Sequence, residues 1–155
     1  DTAAKTDTPI ADIRCGTGLV ASALNFPHEQ IDGIDISVDM PHVSKEKGLY
    51  GFLYKVDLTK SLEVIANDYG AALSAGTCTS GHLGPDPLES FLDIARDYAL
   101  FVIGVKKAFF EEVGFEAVLR DLDARGLIKD LQVAEVPMYA KPGHDHSVDT
   151  AFALV

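Results

Sequence analysis

The chain has 155 residues, 47% of them apolar, and it carries 13 basic against 24 acidic residues, for a net charge of -11. This length and apolar content suffice for one compact core, so we predict a single domain over residues 1–155. The acidic balance argues against nucleic acid as a partner, and the sequence has no apolar stretch near the roughly 20 residues that span a bilayer, so we expect no membrane association.

Apolar runs of strand length alternate with segments of helical spacing through most of the chain. This alternation predicts parallel strands joined by helical crossovers. The first four strands are predicted at 9–14, 30–36, 51–58 and 70–76, and the helices between them at 18–25, from about Ser37, and at 61–67.

The second half of the chain continues the pattern and then departs from it. "PDPLESFLDIARD" (85–97) predicts a helix, "YALFVIGV" (98–105) a buried parallel strand, and 115–125 a helix with Gly126 as its left-handed C-cap. The runs 127–140 and 147–155 are strand-like with no helix between them, which predicts an antiparallel hairpin. The sequence therefore predicts an α/β fold of five parallel strands followed by a hairpin.

A glycine-containing turn follows the first predicted strand in "ADIRCGTGLVASAL" (11–24). Gly16 and Gly18 allow close approach of a ligand where the strand meets the helix. Asp35 ends the second strand, where a carboxylate can accept hydrogen bonds from both hydroxyls of a ribose. Together these three residues predict a site for a nucleoside-containing cofactor.

Two cofactor classes fit this turn. "GTGLVA" satisfies G-x-G-x-x-A, a permitted dinucleotide fingerprint, so an NAD(P)-binding oxidoreductase is one hypothesis. S-adenosylmethionine is favoured by Asp12 before the turn, by the terminal hairpin, and by Asp57 at the end of strand three, where a carboxylate can receive an adenine amino group.

From about Ile10 to Val155 the chain resembles the class I S-adenosylmethionine-dependent methyltransferases. Its segment 76–105, "GTCTSGHLGPDPLESFLDIARDYALFVIGV", resembles the Williams-Beuren region methyltransferase-like group. The family motif D-x-G-x-G-x-G corresponds to residues 12–18. The resemblance implies a Rossmann-like three-layer sandwich with a mostly parallel seven-stranded sheet of order 3-2-1-4-5-7-6, and S-adenosylmethionine-dependent methyl transfer.

The resemblance also implies a role for individual residues. The methionine part of the cofactor would be lined by Cys15, Gly16 and Gly18, and the ribose would be held by Asp35. The adenine would be contacted by Ile36, Asp57 and Leu58, and the sulfonium would be bordered by Ala75 and Gly76.

Arg14 departs from the family pattern, because it stands where the motif has its first glycine. It brings a cation near a cofactor whose sulfonium is also positive. Three outcomes are open: the side chain points to solvent, it pairs with Asp12 or Asp35, or it impairs the site and leaves a non-catalytic domain. The helices that precede the first strand in the family and close over its cofactor have no counterpart in these residues, so we expect an open site.

Candidate groups beyond the cofactor site are few. His82 follows strand four and is a candidate catalytic base, with a loop histidine as the alternative. His144, Asp145 and His146 supply only part of a coordination shell, so no metal site is predicted.

The expected acceptor is a small molecule, and the oligomeric state is open, with a homodimer through the exposed sheet edge as one option. The sequence shows no signal-peptide pattern, and its two cysteines are too few for a disulfide framework, so we predict a cytoplasmic protein. Cys15 and Cys78 end strands predicted to be neighbours and are expected to approach each other.

Overall fold

The computed structural model describes residues 8–24, 26–37, 46–60, 62, 68–78, 84–137 and 150–154, with 77 and 150–154 described by their backbone. The strands are β1 (Ile10–Ile13), β2 (Ile31–Asp35), β3 (Leu53–Lys55), β4 (Tyr69–Cys78), β5 (Ala95–Lys106), β6 (Val133–Pro137) and β7 (Thr150–Leu154). The α-helices of the described part are α1 (Leu19–Leu24), α2 (Leu88–Leu92), α3 (Lys107–Glu112) and α4 (Phe115–Ala124).

The described strands form one seven-stranded sheet in the order β3-β2-β1-β4-β5-β7-β6. β1 to β5 pair in parallel, and β7 is antiparallel to both β5 and β6. The predicted α/β class, the strand order and the terminal hairpin are therefore confirmed. Because β1 to β4 are parallel, their carboxyl ends lie at one edge of the sheet, which we call the carboxyl edge.

Apolar side chains bury both faces of the sheet, in two clusters. The larger cluster lies under α2, α3 and α4 and is centred on Ile13, Ile34, Phe91, Val105, Phe115, Leu119 and Leu122. The smaller one lies under α1 and contains Ile10, Cys15, Ala21, Ile31, Tyr50 and Ala71. Alternate residues of β1 enter opposite clusters, as the two-residue period of a strand requires.

The predicted helix at 85–97 is too long. The helix ends at Leu92, and β5 begins already at Ala95, which pairs with Tyr69. Between Ala95 and Leu100, β5 has three more residues than β4 has opposite them, so the strand bulges, and Tyr98 in the bulge is left-handed (φ 65°) and 86% exposed. Strand pairing thus overrides the helical spacing of this segment, and the prediction of a fully buried strand over 98–105 is wrong at its start.

Other boundaries follow from local contacts. β3 is shorter than the predicted 51–58, because only Gly33 to Asp35 of β2 lie opposite it. The sequence missed α3, which precedes α4 and is separated from it by the left-handed Gly114 (φ 82°). Gly126 does adopt the predicted left-handed conformation after α4 (φ 72°). The helices predicted from Ser37 and over 61–67 lie almost wholly outside the described residues.

Candidate functional site

The chain leaves β1 through a turn built of alternating left-handed residues. Arg14 has φ 61°, Gly16 φ 51° and Gly18 φ 81°. The backbone N–H groups of Arg14 and Cys15 both donate to the carbonyl oxygen of Ile34, at 2.7 and 3.1 Å. These bonds attach the start of the turn to β2, and the turn then leads directly into α1.

Asp35, at the end of β2, joins this turn to the strand beside it. Its side chain is 5% exposed, and Oδ2 accepts the backbone N–H of Gly16 at 2.9 Å. Oδ1 accepts the N–H of Ser37, also at 2.9 Å. A carboxylate offers about four lone-pair positions, so each oxygen keeps the capacity for a further donor. Asp35 therefore faces the glycine turn, at the place where the sequence predicted a ribose-binding carboxylate.

Asp12 is a second carboxylate near this turn, and it is 1% exposed. Its Oδ2 accepts a hydrogen bond from the Tyr50 hydroxyl at 2.7 Å, whereas Oδ1 accepts none from the described residues. Burial raises the pKa of Asp12 from 3.8 to about 6; the bond from Tyr50 and the nearby backbone N–H of Ala21 oppose the rise, and the charge of Asp35 adds to it. Burial and the bond to Asp12 in turn raise the pKa of Tyr50.

Gly33 of β2 makes room for this arrangement. A Cβ atom there would lie 2.6 Å from Leu53 Cδ2, 2.8 Å from Cys15 Sγ and 3.3 Å from Tyr50 Cδ2. Cys15 and Tyr50 thus pack directly over the glycine. Sequence reasoning missed both Gly33 and Tyr50, because the Tyr50–Asp12 contact spans 38 residues and no motif spacing marks it.

Cys15 is an inert thiol in this environment. It is 6% exposed, and burial together with the charges of Asp12 and Asp35 raises its pKa to about 12. Cys78 is buried in the cluster on the opposite face of the sheet, and burial raises its pKa to about 11. The two cysteines belong to different core clusters and form no disulfide; both are free.

Lys47 reaches the turn from the segment before β3. Its Nζ donates to the carbonyl oxygen of Thr17, in the middle of the turn, at 2.9 Å. On the other side of β1, the Ser74 hydroxyl of β4 donates to the Ile13 carbonyl oxygen at 3.1 Å. The segment before β3 and strand β4 thus each contribute one group that holds the end of β1 and its turn, and neither contact was predicted from the sequence.

No protein-family model matches the chain, and no curated protein matches it in sequence. Solved structures match it in fold. A TehB-like SAM-dependent methyltransferase from Corynebacterium glutamicum superposes with a TM-score of 0.62 at 18% identity, over 94% of this chain and 77% of that one. A SAM-dependent methyltransferase of Thermotoga maritima, described as a possible histamine N-methyltransferase, gives 0.64 at 14% identity over 96% and 81%. One from Clostridium acetobutylicum gives 0.63 at 13% identity over 94% and 82%.

The chain has the fold of the S-adenosylmethionine-dependent methyltransferases. The expected class of fold is thereby confirmed, while the narrower resemblance to the Williams-Beuren region group stays a prediction. In a methyltransferase fold the glycine turn and the end of β2 lie at the carboxyl edge, where open α/β sheets bind ligands. Gly16 and Asp35 meet at this edge in the structure.

Arg14 adopts a backbone conformation that suits the glycine found at this position in the methyltransferase motif. Its left-handed φ of 61° is a conformation that a glycine adopts without strain. The carboxylates of Asp12 and Asp35 accept hydrogen bonds from Tyr50, Gly16 and Ser37. The charge of Arg14 acts on Cys78, where it opposes the rise in pKa.

The structure places the other predicted cofactor residues at or near the carboxyl edge. Ile36 follows β2 and is 50% exposed, whereas Leu58 is 4% exposed and packs into the larger core cluster. Asp57 Oδ1 accepts the N–H and the hydroxyl of Thr59, at 3.1 and 2.6 Å, and these bonds lower its pKa. Ala75 and Gly76 are exposed near the end of β4.

The remaining candidates were the catalytic and metal-binding histidines. His82, the candidate base, lies outside the described residues, and so do His144, Asp145 and His146. Within the part of the chain that the structure describes, no group of three or more histidine, cysteine, aspartate or glutamate residues is arranged to hold a metal ion. No described helix is both long and apolar enough to cross a membrane.

Proposed function

We propose that this chain is an enzyme that transfers a methyl group from S-adenosylmethionine to a small-molecule acceptor. The observation that carries the proposal is the hydrogen bond between Gly16 and Asp35 at the carboxyl edge of β1 and β2. It holds a glycine turn and a carboxylate with spare acceptor capacity beside each other, and an adenosine requires both.

The described residues fit the chemical groups of this cofactor. Gly16 and Gly18 carry no side chains, so the turn can approach the methionine part closely. The ribose hydroxyls can donate to Asp35. Asp12 Oδ1 is a buried acceptor that no donor among the described residues meets at full hydrogen-bond geometry, and the ammonium of the methionine part is a donor of suitable charge.

When bound, S-adenosylmethionine supplies a methyl group on a positively charged sulfur. The tasks left to the chain are to orient an acceptor in line with that methyl group and to remove the acceptor's proton where it has one. We assign the proton transfer to His82, on its position in the sequence just after β4. Ala75 and Gly76 lie on β4 and would border the sulfonium of the cofactor.

The net charge of -11 supports a small-molecule acceptor over a nucleic acid, because an acidic surface repels a phosphate backbone. A cytoplasmic location completes the proposal; the oligomeric state is open, with a homodimer through the sheet edge as one option. The hypotheses that compete with it are an NAD(P)-dependent oxidoreductase and a domain that keeps the fold without catalysis.

Calorimetric and thermal-shift titrations separate these three hypotheses. S-adenosylhomocysteine, the product form of the cofactor, should bind with one-to-one stoichiometry. At a concentration of about 100 times its Kd it should raise the free energy of unfolding by about 2.7 kcal/mol. A response to NADH without one to S-adenosylhomocysteine would favour the oxidoreductase, and a response to neither would favour the non-catalytic domain.

A further inference from the structure

A lysine from outside the predicted cofactor site reaches the glycine turn. Lys47 lies in the segment between β2 and β3, and its Nζ donates to the carbonyl oxygen of Thr17 at 2.9 Å. Thr17 stands between Gly16 and Gly18, the two glycines that would line the methionine part of the cofactor. The ammonium group of Lys47 is therefore held at the middle of the turn, beside the proposed position of the methionine part.

The segment that carries Lys47 is attached to the sheet close to this turn. Tyr50 is buried in the smaller core cluster, and Leu49 packs against the same cluster. The backbone N–H of Gly51 donates to the carbonyl oxygen of Ile31 in β2 at 2.9 Å. Lys47 is two residues before this attached stretch and its side chain is exposed, so its long, flexible stem can bring the ammonium group to a ligand at the turn.

The same short segment also contacts Asp12, the carboxylate to which the proposed function assigns the cofactor's ammonium group. The Tyr50 hydroxyl donates to Oδ2 of Asp12 at 2.7 Å and leaves Oδ1 for that ammonium. Residues 47 and 50 thus approach the site together, one at the turn and the other at Asp12. The methionine part of S-adenosylmethionine carries one positive and one negative group, and this arrangement offers a partner of opposite charge to each.

The negative charges near the turn make a cation necessary for the cofactor's carboxylate. Asp12 and Asp35 are 1% and 5% exposed, and both lie close enough to Cys15 to help raise the pKa of its thiol. Two buried carboxylates in one small region repel a third one. A carboxylate of the ligand is therefore stable at the turn only where a positive group lies beside it.

The positions of two cations relative to the sheet favour Lys47 for this task over Arg14. The charge of Arg14 acts on Cys78, which is buried in the larger cluster. Lys47 belongs to the segment that packs on the smaller cluster, on the opposite face, where Cys15 of the turn is also buried. The cation on the same face as the turn's own buried side chain is Lys47.

We propose that Lys47 binds the carboxylate of the methionine part of S-adenosylmethionine and so makes the site selective for forms of the cofactor that keep this group. The inference rests on the proposed function, since it requires the cofactor to bind at the glycine turn. An ammonium group has three N–H donors, so Lys47 can keep its bond to Thr17 and give a second one to the carboxylate. The second bond joins two charged groups, which makes it stronger than a neutral one.

Two ligands that differ only in this carboxylate test the proposal. Decarboxylated S-adenosylmethionine keeps the adenosine, the sulfonium and the amino group. Calorimetry on the intact protein at low ionic strength should give a Kd about tenfold lower for S-adenosylmethionine than for its decarboxylated form. Lys47→Met should remove this preference, because it weakens binding of S-adenosylmethionine about tenfold and leaves the decarboxylated form unaffected. Lys47→Arg keeps the charge and should keep the preference.

A matched control and a second ligand separate this role from a structural one. Lys129→Met removes the same charge from an exposed lysine of the segment before β6 and should change neither affinity. If Lys47 only supported the turn through Thr17, Lys47→Met would weaken both ligands equally, and that result would overturn the proposal. Equal affinity of the native protein for the two ligands would also overturn it, and the proposed function would survive either result. A native protein that binds neither ligand would overturn the proposed function and this inference together.

Discussion

The Asp35 carboxylate accepts the backbone N–H of Gly16 at 2.9 Å, across the 19 residues that separate them in the chain. This bond lies at the carboxyl edge of β1 and β2 and connects the residues on which the proposed cofactor site depends. The second oxygen of the Asp35 carboxylate accepts the N–H of Ser37, so this one side chain orders both the glycine turn and the end of β2. The same carboxylate thus has a structural and a proposed ligand-binding role.

Asp35→Ala should abolish most of the affinity for S-adenosylhomocysteine, because the variant loses both the acceptor for the ribose and the bond that shapes the turn. We expect Kd to rise at least tenfold, and the loss of two bonds to a charged, buried acceptor to lower the free energy of unfolding by about 2–3 kcal/mol. Calorimetry and chemical denaturation measure the two effects. Asp123→Ala, an exposed aspartate of α4, is the control and should change neither. Unchanged affinity in Asp35→Ala would remove the carboxylate from the site.

Arg14→Gly should stabilise the protein, because the left-handed conformation that strains an arginine does not strain a glycine. After allowance for the greater entropy of the unfolded glycine chain, the expected gain is about 0.5–1 kcal/mol. Arg14→Ala removes the same charge and keeps the strain, so it should show no such gain. If the charge opposes the sulfonium, both variants should bind S-adenosylmethionine more tightly. Equal melting temperatures for the two variants would show that the left-handed backbone of Arg14 is not strained.

Asp12 should make the protein less stable as the pH rises from 4 to 7. Its pKa in the folded protein is about 6 against an ordinary 3.8, so in this interval the folded state binds more protons than the unfolded one, and raising the pH favours unfolding. Asp12→Asn keeps an acceptor for Tyr50 and removes the charge. The stability of this variant relative to the native protein should therefore increase by about 2–3 kcal/mol between pH 4 and pH 7. Urea denaturation at several pH values measures the difference, and a difference that does not vary with pH would refute the shifted pKa.

Gly33→Ala should disturb the site through packing alone. The added methyl group would lie under 3 Å from Leu53 and Cys15, and overpacking of this kind costs about 1–3 kcal/mol. Since Cys15 belongs to the turn, we also expect weaker binding of S-adenosylhomocysteine. Gly84→Ala is the matched control, because a Cβ atom there would meet nothing within 4 Å. If both variants melted at the native temperature, the close packing over β2 would be disproved.

Both cysteines should resist alkylation in the folded protein. Each is buried with a pKa raised to about 11 or 12, so the reactive thiolate is scarce and inaccessible at neutral pH. Iodoacetamide followed by mass spectrometry should label neither Cys15 nor Cys78 in buffer and both in urea. Rapid labelling of either one before unfolding would show that its surroundings open.

The sheet could be predicted from the sequence largely because its signals are local. Each apolar run of β1, β2 and β4 is bounded by turn residues, and the last two runs have no room for a helix between them, so parallel strands and a hairpin follow from the pattern. The start of β5 could not be predicted in this way. Residues 95–97 continue the helical spacing of α2, but the pairing of Ala95 with Tyr69 places them in a strand.

The sequence by itself determined which segments form the strands of the sheet and which two residues, Gly16 and Asp35, lie at its carboxyl edge. It could do so because glycine conformation and the ends of strands are properties of short segments. Only the tertiary structure decided how the site is held together. Tyr50 reaches Asp12, Gly33 admits Cys15, and Arg14 takes a glycine's backbone conformation. The first two contacts join residues 18 or more positions apart in the chain, and the backbone N–H of Arg14 is bonded to the Ile34 carbonyl oxygen of β2. In each case a contact between segments distant in the sequence fixes the geometry.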